Sequence, residues 1–261
     1  MSAMAEPELG YYLYAVGSAQ SLTDLNNLSG IDDAPVDRLV VEQLAGLVSP
    51  VSLPALRAAE QLQEVSETSW LACAVRAHEH VALQALEHAP LLPMRFGTVF
   101  GQLDDVRTVL QRHRLTLLAE LRNLNGSSEW CLTARATELQ TPAAEPTSGT
   151  GWLQSRQAAL HARETQADRL HQLPVLLRPL VRDLVTAGTS RGNDSLRIWV
   201  LVDDPQRLRN ALDELSAQLR ELAVTVELTG PWPAYHFVRT DALHEDDRAT
   251  DDGRQSVQVR R

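Results

Sequence analysis

Leu196–Leu222 reads LRIWVLVDDPQRLRNALDELSAQLREL, and its two halves follow different periods. In Leu196–Asp203 apolar side chains fall on both faces, the pattern of a strand covered on both sides. The chain then runs straight into a helix. Asp204 is placed to cap it, Pro205 suits its first position, and Leu208, Leu212, Leu215, Leu219 and Leu222 recur at three- and four-residue spacing. That stripe predicts burial against a sheet containing Ile198 and Val200. A strand feeding an amphipathic helix makes a mixed α and β architecture the first expectation.

Working outward, VTVELTG (224–230) alternates as a strand, and PAYHFV (233–238) reads as a last short one. On the other side, residues 152–187 are helical with interruptions near Pro174 and Pro179, and two helices fit them better than one. TPAAEPTSGTG (141–151) is a turn-rich linker, and EWCLTARA (129–136) alternates as a further strand. Residues 241–261 are polar and aspartate-rich, so a disordered tail is expected.

The first half of the chain repeats the theme. YYLYAVG (11–17) is a strand by its aromatic and β-branched content, and VDRLVVEQLAGLVSPV (36–51) reads as a hairpin of two short strands around Ala45 and Gly46. From Pro54 to Ala89 the pattern is helical, with Leu71, Ala74, Val75, His78, Val81, Ala82 and Ala85 on one face. A second stripe, Leu103, Val106, Leu110, His113, Leu117, Leu121 and Leu124, is closed by the helix-stop signal NLNG (123–126). The fold class expected is therefore α+β in two domains. Residues 1–126 hold strands and two long helices around LLPMRFGTVF (91–100), and residues 127–240 form the second domain. If LLPMRFGTVF is extended, Leu92, Met94, Phe96, Thr98 and Phe100 share one face and Arg95 lies opposite with Pro93, Gly97 and Val99. A buried Arg95 needs a carboxylate or carbonyl partner, so its first reading is structural and its second a partner contact.

Composition removes several classes of chemistry. The formal charge of −10 argues against nucleic-acid or anionic-membrane binding, which need a positive field. All 24 basic residues counted as lysine or arginine are arginine, so Schiff-base and P-loop lysines are excluded. Cys73 and Cys131 are read as reduced core residues, without a disulfide framework. MSAMAEPELG at the start has neither a basic n-region nor an apolar h-region, and no apolar run approaches the roughly eighteen residues that span a bilayer, so a cytoplasmic protein is expected. His78 and His80 point to different sides of a helix and cannot share a metal from there, which leaves His78 as a packed or hydrogen-bonded core residue. Asp104 and Asp105 sit at a helix start, where negative charge is favoured. No nucleophile elbow, dinucleotide fingerprint or phosphate loop is present. GTSRGNDS (188–195) reads as a turn. No catalytic residue, cofactor site or metal site is expected. GPWPAYHFV (230–238) stands out because two prolines stiffen the chain around Trp232, suiting either an interface anchor or an indole folded back on its own sheet.

Taken together, YYLYAVG, LLPMRFGTVF, GTGWLQSRQAALHAR (149–163) and GPWPAYHFV, in this order and spacing, resemble the gas vesicle accessory proteins of the GvpF/GvpL family over roughly residues 9–238. Trp152, Ala234 and His236 depart from the family's more usual residues. The resemblance implies a non-enzymatic, cytoplasmic, gas vesicle associated assembly factor. Its partners would be the hydrophobic major shell protein GvpA, whose aggregation it would limit, and other gas vesicle accessory proteins. It also implies a C-terminal domain of modified ferredoxin-like fold with an inserted helical extension, to which residues 152–187 correspond. The residues put forward for partner binding are Arg95, Phe96, Trp232 and Tyr235. The alternative is a ligand-binding or enzymatic ferredoxin-like protein with a pocket near His78, Arg95 and His113. A third reading, self-assembly alone, needs no shell protein.

Overall fold

The computed structural model describes residues 8–23, 25, 27–60, 66–137, 148–187 and 195–238. The chain divides into two compact units, residues 8–126 together with 233–238, and residues 127–232. Residues 233–238 thus group with the first unit, where the sequence reading put them in the second. The expected tail at 241–261, the turn at 188–194 and most of the linker at 141–151 lie outside the described residues.

In the first unit, strands β1 (Leu9–Ser18), β2 (Asp37–Val41), β3 (Leu44–Ser52) and β4 (Leu91–Pro93) form an antiparallel sheet in the order β2-β3-β1-β4, and β5 (Val99–Phe100) also pairs with β1. Helices α1 (Leu53–Glu60) and α2 (Trp70–Leu86) pack on the face that carries Tyr12 and Tyr14. Helices α3 (Leu103–Arg112) and α4 (Arg114–Leu124) contact β1 as well. Tyr12 and Tyr14 alternate with Leu13 along β1, so the two helix pairs cover opposite faces.

The hairpin turn is not at Ala45 and Gly46. It falls at Glu42–Gln43, where Glu42 takes φ 52°, and both expected turn residues lie inside β3. Gly46 is there for close approach, because a Cβ would sit 3.0 Å from Leu13 Cδ1 and 3.2 Å from Leu110 Cδ1. The helical region 54–89 is two helices; Ser69 starts the second by accepting from the Ala72 amide at 3.2 Å. The long stripe 103–124 breaks at His113 (φ −95°, ψ 10°), which preserves the apolar face while turning the axis. Asp105 closes a capping box at the α3 start, with Gln102 N–H donating to its carboxylate at 2.9 Å. LLPMRFGTVF is not continuously extended. A turn at residues 95–98, with Gly97 at φ 88°, separates β4 from β5 and abolishes the expected alternation.

In the second unit, β6 (Ser128–Ala136), β7 (Asp183–Ala187), β8 (Ser195–Val202) and β9 (Val224–Trp232) form an antiparallel sheet in the order β7-β8-β6-β9. Helix α5 (Gly149–Leu177) connects β6 to β7, which run parallel with β8 between them, and α6 (Pro205–Glu221) connects β8 to β9. The stripe of α6 is buried as expected at Leu208, Leu212 and Leu219, against Ile198 and Val200, while Leu215 and Leu222 are half-buried. Asp204 caps α6, accepting from the Arg207 amide at 3.0 Å.

Two helices were expected over 152–187, and the structure has one, which starts at Gly149 and passes through Pro174 to Leu177. Pro174 lies near the helix end, where the missing N–H costs only one bond of the final turns. Pro179 falls in a 3₁₀ turn, Arg178–Leu180, and Asp183–Ala187 is a strand instead of helix. On the face of β8 opposite Ile198 and Val200, Arg197 is exposed, Trp199 half-buried and Leu201 buried, so cover there is partial. PAYHFV is a turn, with Tyr235 N–H donating to Pro233 O and Phe237 N–H to Ala234 O. Cys73 is exposed, on the polar side of α2 beside Arg76, whereas Cys131 is buried and its thiol pushed up by that burial.

Candidate functional site

Among the described residues of the first unit, a buried polar arrangement is built around His78. The period of α2 turns this imidazole into the core, where it is 2% exposed, and the period of β1 turns Tyr12 and Tyr14 to meet it. Ring centroids of Tyr12, Tyr14, Phe96 and Tyr235 lie 5.6, 5.9, 5.8 and 6.1 Å from the imidazole. Tyr14 stacks on it, while Tyr12 and Phe96 meet it edge to face.

Hydrogen bonds fix the protonation pattern. The Tyr12 hydroxyl accepts from the Gly97 amide at 2.9 Å and lies 3.1 Å from His78 Nδ1. Tyr12 is fully buried, so its one proton must go to Nδ1 to be satisfied. His78 is then a neutral imidazole with its proton on Nε2, which donates to the Tyr235 hydroxyl at 2.9 Å. The chain of donors runs from the turn at 95–98 through β1 and α2 to the segment 233–238. Beside it, Tyr14 accepts from the Ile31 amide at 2.9 Å and shares a 2.8 Å hydrogen bond with Ser49.

Burial holds the Tyr12 hydroxyl well above its ordinary value and raises that of Tyr14. Neither is poised for proton transfer at neutral pH. The network positions three segments relative to one another. Among the described residues no three histidine, cysteine, aspartate or glutamate side chains gather as a metal site.

Of the four residues put forward for partner binding, Phe96 and Tyr235 join this cluster. Arg95 sits beside them on the turn with its side chain exposed, and its carbonyl accepts from the Thr98 amide at 3.2 Å and hydroxyl at 2.7 Å. Trp232 belongs to the second unit, at the end of β9, half-buried and donating from Nε1 to Thr229 on its own strand at 3.2 Å. For the pocket reading, rings surround the buried His78, Arg95 is exposed on the turn and His113 sits at the α3–α4 break. The surface depression formed by Leu180, Asp204, Gln206, Arg207, Asn210, Ala211 and Glu214 contains none of the three. Tyr12 and Tyr14 were not singled out from the sequence. Their two-residue spacing in YYLYAVG, set against a histidine on an apolar helical stripe, is the signal that finds them.

The sequence profile described as "Gas vesicle synthesis protein GvpL/GvpF" matches residues 10–239. Gas vesicle protein L of Streptomyces sp. (strain CB03234) is 28% identical over 262 residues, covering 91% of this chain and 97% of its own length. Gas vesicle protein F2 of Halobacterium salinarum is 28% identical over 213 residues, covering 80% of this chain and 88% of its own. The crystal structure of gas vesicle protein GvpF from Anabaena sp. PCC7120 shares the fold, with a TM-score of 0.64 at 17% identity over 88% of this chain and 96% of that one.

Proposed function

From the chain's membership of the gas vesicle synthesis GvpL/GvpF family, we propose that it is a non-enzymatic assembly factor that binds the hydrophobic major shell protein GvpA and limits its aggregation while vesicles form. The observation that carries this reading is the match over residues 10–239, which takes in both units. The physical logic is that subunits destined to pack edge to edge expose apolar faces and strand edges beforehand, and unpaired edges aggregate. A partner that covers them reversibly keeps them assembly-competent. The net charge of −10 keeps such a factor soluble, and among the described residues no helix is long and apolar enough to cross a membrane. The working site is the cytoplasm and the vesicle surface.

Arg95, Phe96, Tyr235 and Trp232 are proposed as contact residues. Arg95 offers an exposed guanidinium on a turn anchored by Phe96 and Tyr235. The second unit is proposed to be a modified ferredoxin-like domain: β6-α5-β7-β8-α6-β9 in the strand order β7-β8-β6-β9 is a split βαβ pattern, and the N-terminal part of α5 is its helical extension.

The test is co-purification of the full chain with GvpA at low and at roughly 1 M salt, where the Debye length is about 3 Å. Retention at both, and delayed light scattering by GvpA without added nucleotide, is the expected result. Arg95→Glu, checked for folding by circular dichroism, should weaken retention. Loss of GvpA at both salt concentrations, with scattering unchanged, overturns the proposal.

A further inference from the structure

Helix α5 changes character along its length. Its C-terminal half buries Gln166, Leu170, Leu173 and Leu177 in the second unit, with Gln166 Nε2 donating to the carbonyls of Thr137, Leu222 and Ala223 at 2.9–3.1 Å. Its first four turns bury no side chain among the described residues. Trp152 is 53% exposed, Leu153 63% and Leu160 52%, although tryptophan and leucine are seldom left in water together on one short surface.

These residues are not scattered. At 3.6 residues per turn, Trp152, Leu153, Arg156, Ala159, Leu160 and Arg163 fall within an arc of about 120°, the width of a helix face made to be covered. The guanidinium of Arg156 lies 5.9 Å from the Trp152 ring, leaving its N–H groups facing outward. Neither Arg156 nor Arg163 forms an ion pair with another described residue, in a chain of net charge −10. The carboxylate of these turns, Glu164, stands at the border of the arc, 3.9 Å from His161 Nδ1. Tryptophan and arginine are the residue types that most often carry interface energy.

We propose that residues 152–163 of α5 are a docking surface for an acidic amphipathic helix of another protein, whose apolar ridge covers Trp152, Leu153 and Leu160 and whose carboxylates pair with Arg156 and Arg163. The occupant follows from complementarity. An exposed ridge about 17 Å long matches roughly three turns of a partner helix. Unpaired guanidinium groups select carboxylates, which they hold in bidentate geometry. An anionic bilayer is disfavoured, because lipid-binding segments carry about 4–8 basic residues and the chain as a whole is acidic. The inference does not depend on GvpA being the partner of this chain.

Two fluorescein-labelled synthetic helices of about 20 residues test it. Both carry leucine at i, i+3, i+4 and i+7, one with flanking glutamates and the other with flanking lysines. Anisotropy with the intact chain should show binding of the glutamate helix and not of the lysine helix. Arg156→Glu with Arg163→Glu should weaken the glutamate helix at least tenfold, about 1.4 kcal/mol, and admit the lysine helix. Trp152→Ala with Leu160→Ala should also weaken the glutamate helix tenfold or more. Gln154→Glu with Ala158→Glu adds two carboxylates on the opposite side of α5 and should leave binding unchanged. All these positions are exposed or half-buried, and circular dichroism checks that each variant folds.

Equal binding of the two helices, no binding of either, or indifference to the charge reversal overturns the proposal. So does sedimentation showing self-association that the reversal abolishes, which would make a second copy the occupant. Flotation with phosphatidylglycerol vesicles, lost in the same variant, would assign the face to lipid and equally overturn it.

Discussion

His78 and Tyr235, 157 positions apart in the chain, share a 2.9 Å hydrogen bond between Nε2 and the phenolic hydroxyl. Through His78 Nδ1 and the Tyr12 hydroxyl the same imidazole reaches the turn at 95–98. Tyr235→Phe should cost about 1 kcal/mol, the value of one hydrogen bond. His78→Ala should cost about 3 kcal/mol, because it removes core volume and leaves the Tyr12 proton without its acceptor. Urea unfolding of the two variants and the double mutant checks the coupling. The double mutant should cost less than the sum, and strict additivity would mean that the bond contributes nothing.

Tyr12 and Tyr14 impose an alkaline limit. Burial raises both hydroxyls above 10.0, so below that pH folded and unfolded chains hold the same protons there and stability does not depend on these groups. Above it the unfolded chain ionises first, and the folded state loses stability as pH rises. The urea midpoint should fall steadily above about pH 10, with late appearance of tyrosinate absorbance, and Tyr12→Phe should flatten the slope. A midpoint that rose with pH would contradict the sign.

Gly230 has φ 140°, and a Cβ there would lie 2.9 Å from Trp130 Cε3 and 3.0 Å from the Glu129 carbonyl. Gly230→Ala should therefore cost about 2–4 kcal/mol in thermal or urea unfolding. Gly126→Ala, at φ 79° with open space around it, carries only the backbone penalty of about 1–2 kcal/mol. Equal effects would rule out the steric part of the argument.

On α6, Leu219 is buried and Leu215 half-buried. Leu219→Ala should cost about 2–5 kcal/mol and Leu215→Ala roughly 1 kcal/mol, with Asp204→Ala costing about 1 kcal/mol through the lost cap. A larger loss at Leu215 than at Leu219 would mean that the helix is rotated from its assigned face.

The α6 stripe and its cap were legible because local chemistry and tertiary burial agree there: Asp204, Pro205 and the leucines each act within one helix turn of where they stand. The mixed α and β class followed from the same agreement at β1, β6 and β8. The misreadings share a cause. Gly46 looked like a turn residue but serves a close approach between Leu13 and Leu110, which no local pattern encodes. Arg95, Gly97 and Val99 read as one side of a strand because alternation continues through them, while a long-range bond from Gly97 to Tyr12 bends the chain. Residues 183–187 were absorbed into a helix since only pairing with β8 makes them a strand. For the site, His78 was recognised as a core histidine, but its partners stand 66 and 157 positions away and are found only by folding.

The first unit is interrupted: it pauses at Gly126 and is completed by residues from Pro233 onward, with the whole of the second unit threaded between. On a ribosome that adds about 5–20 residues per second, roughly 8–30 seconds separate the arrival of His78 from that of Tyr235. During that interval the second unit, contiguous in the chain, is free to fold, while the first still lacks the hydroxyl that accepts from His78. Birth order is thereby reversed. The half of the protein that emerges first is the half that finishes last, and a nascent chain stopped short of Tyr235 carries a complete second unit beside an unlatched first one.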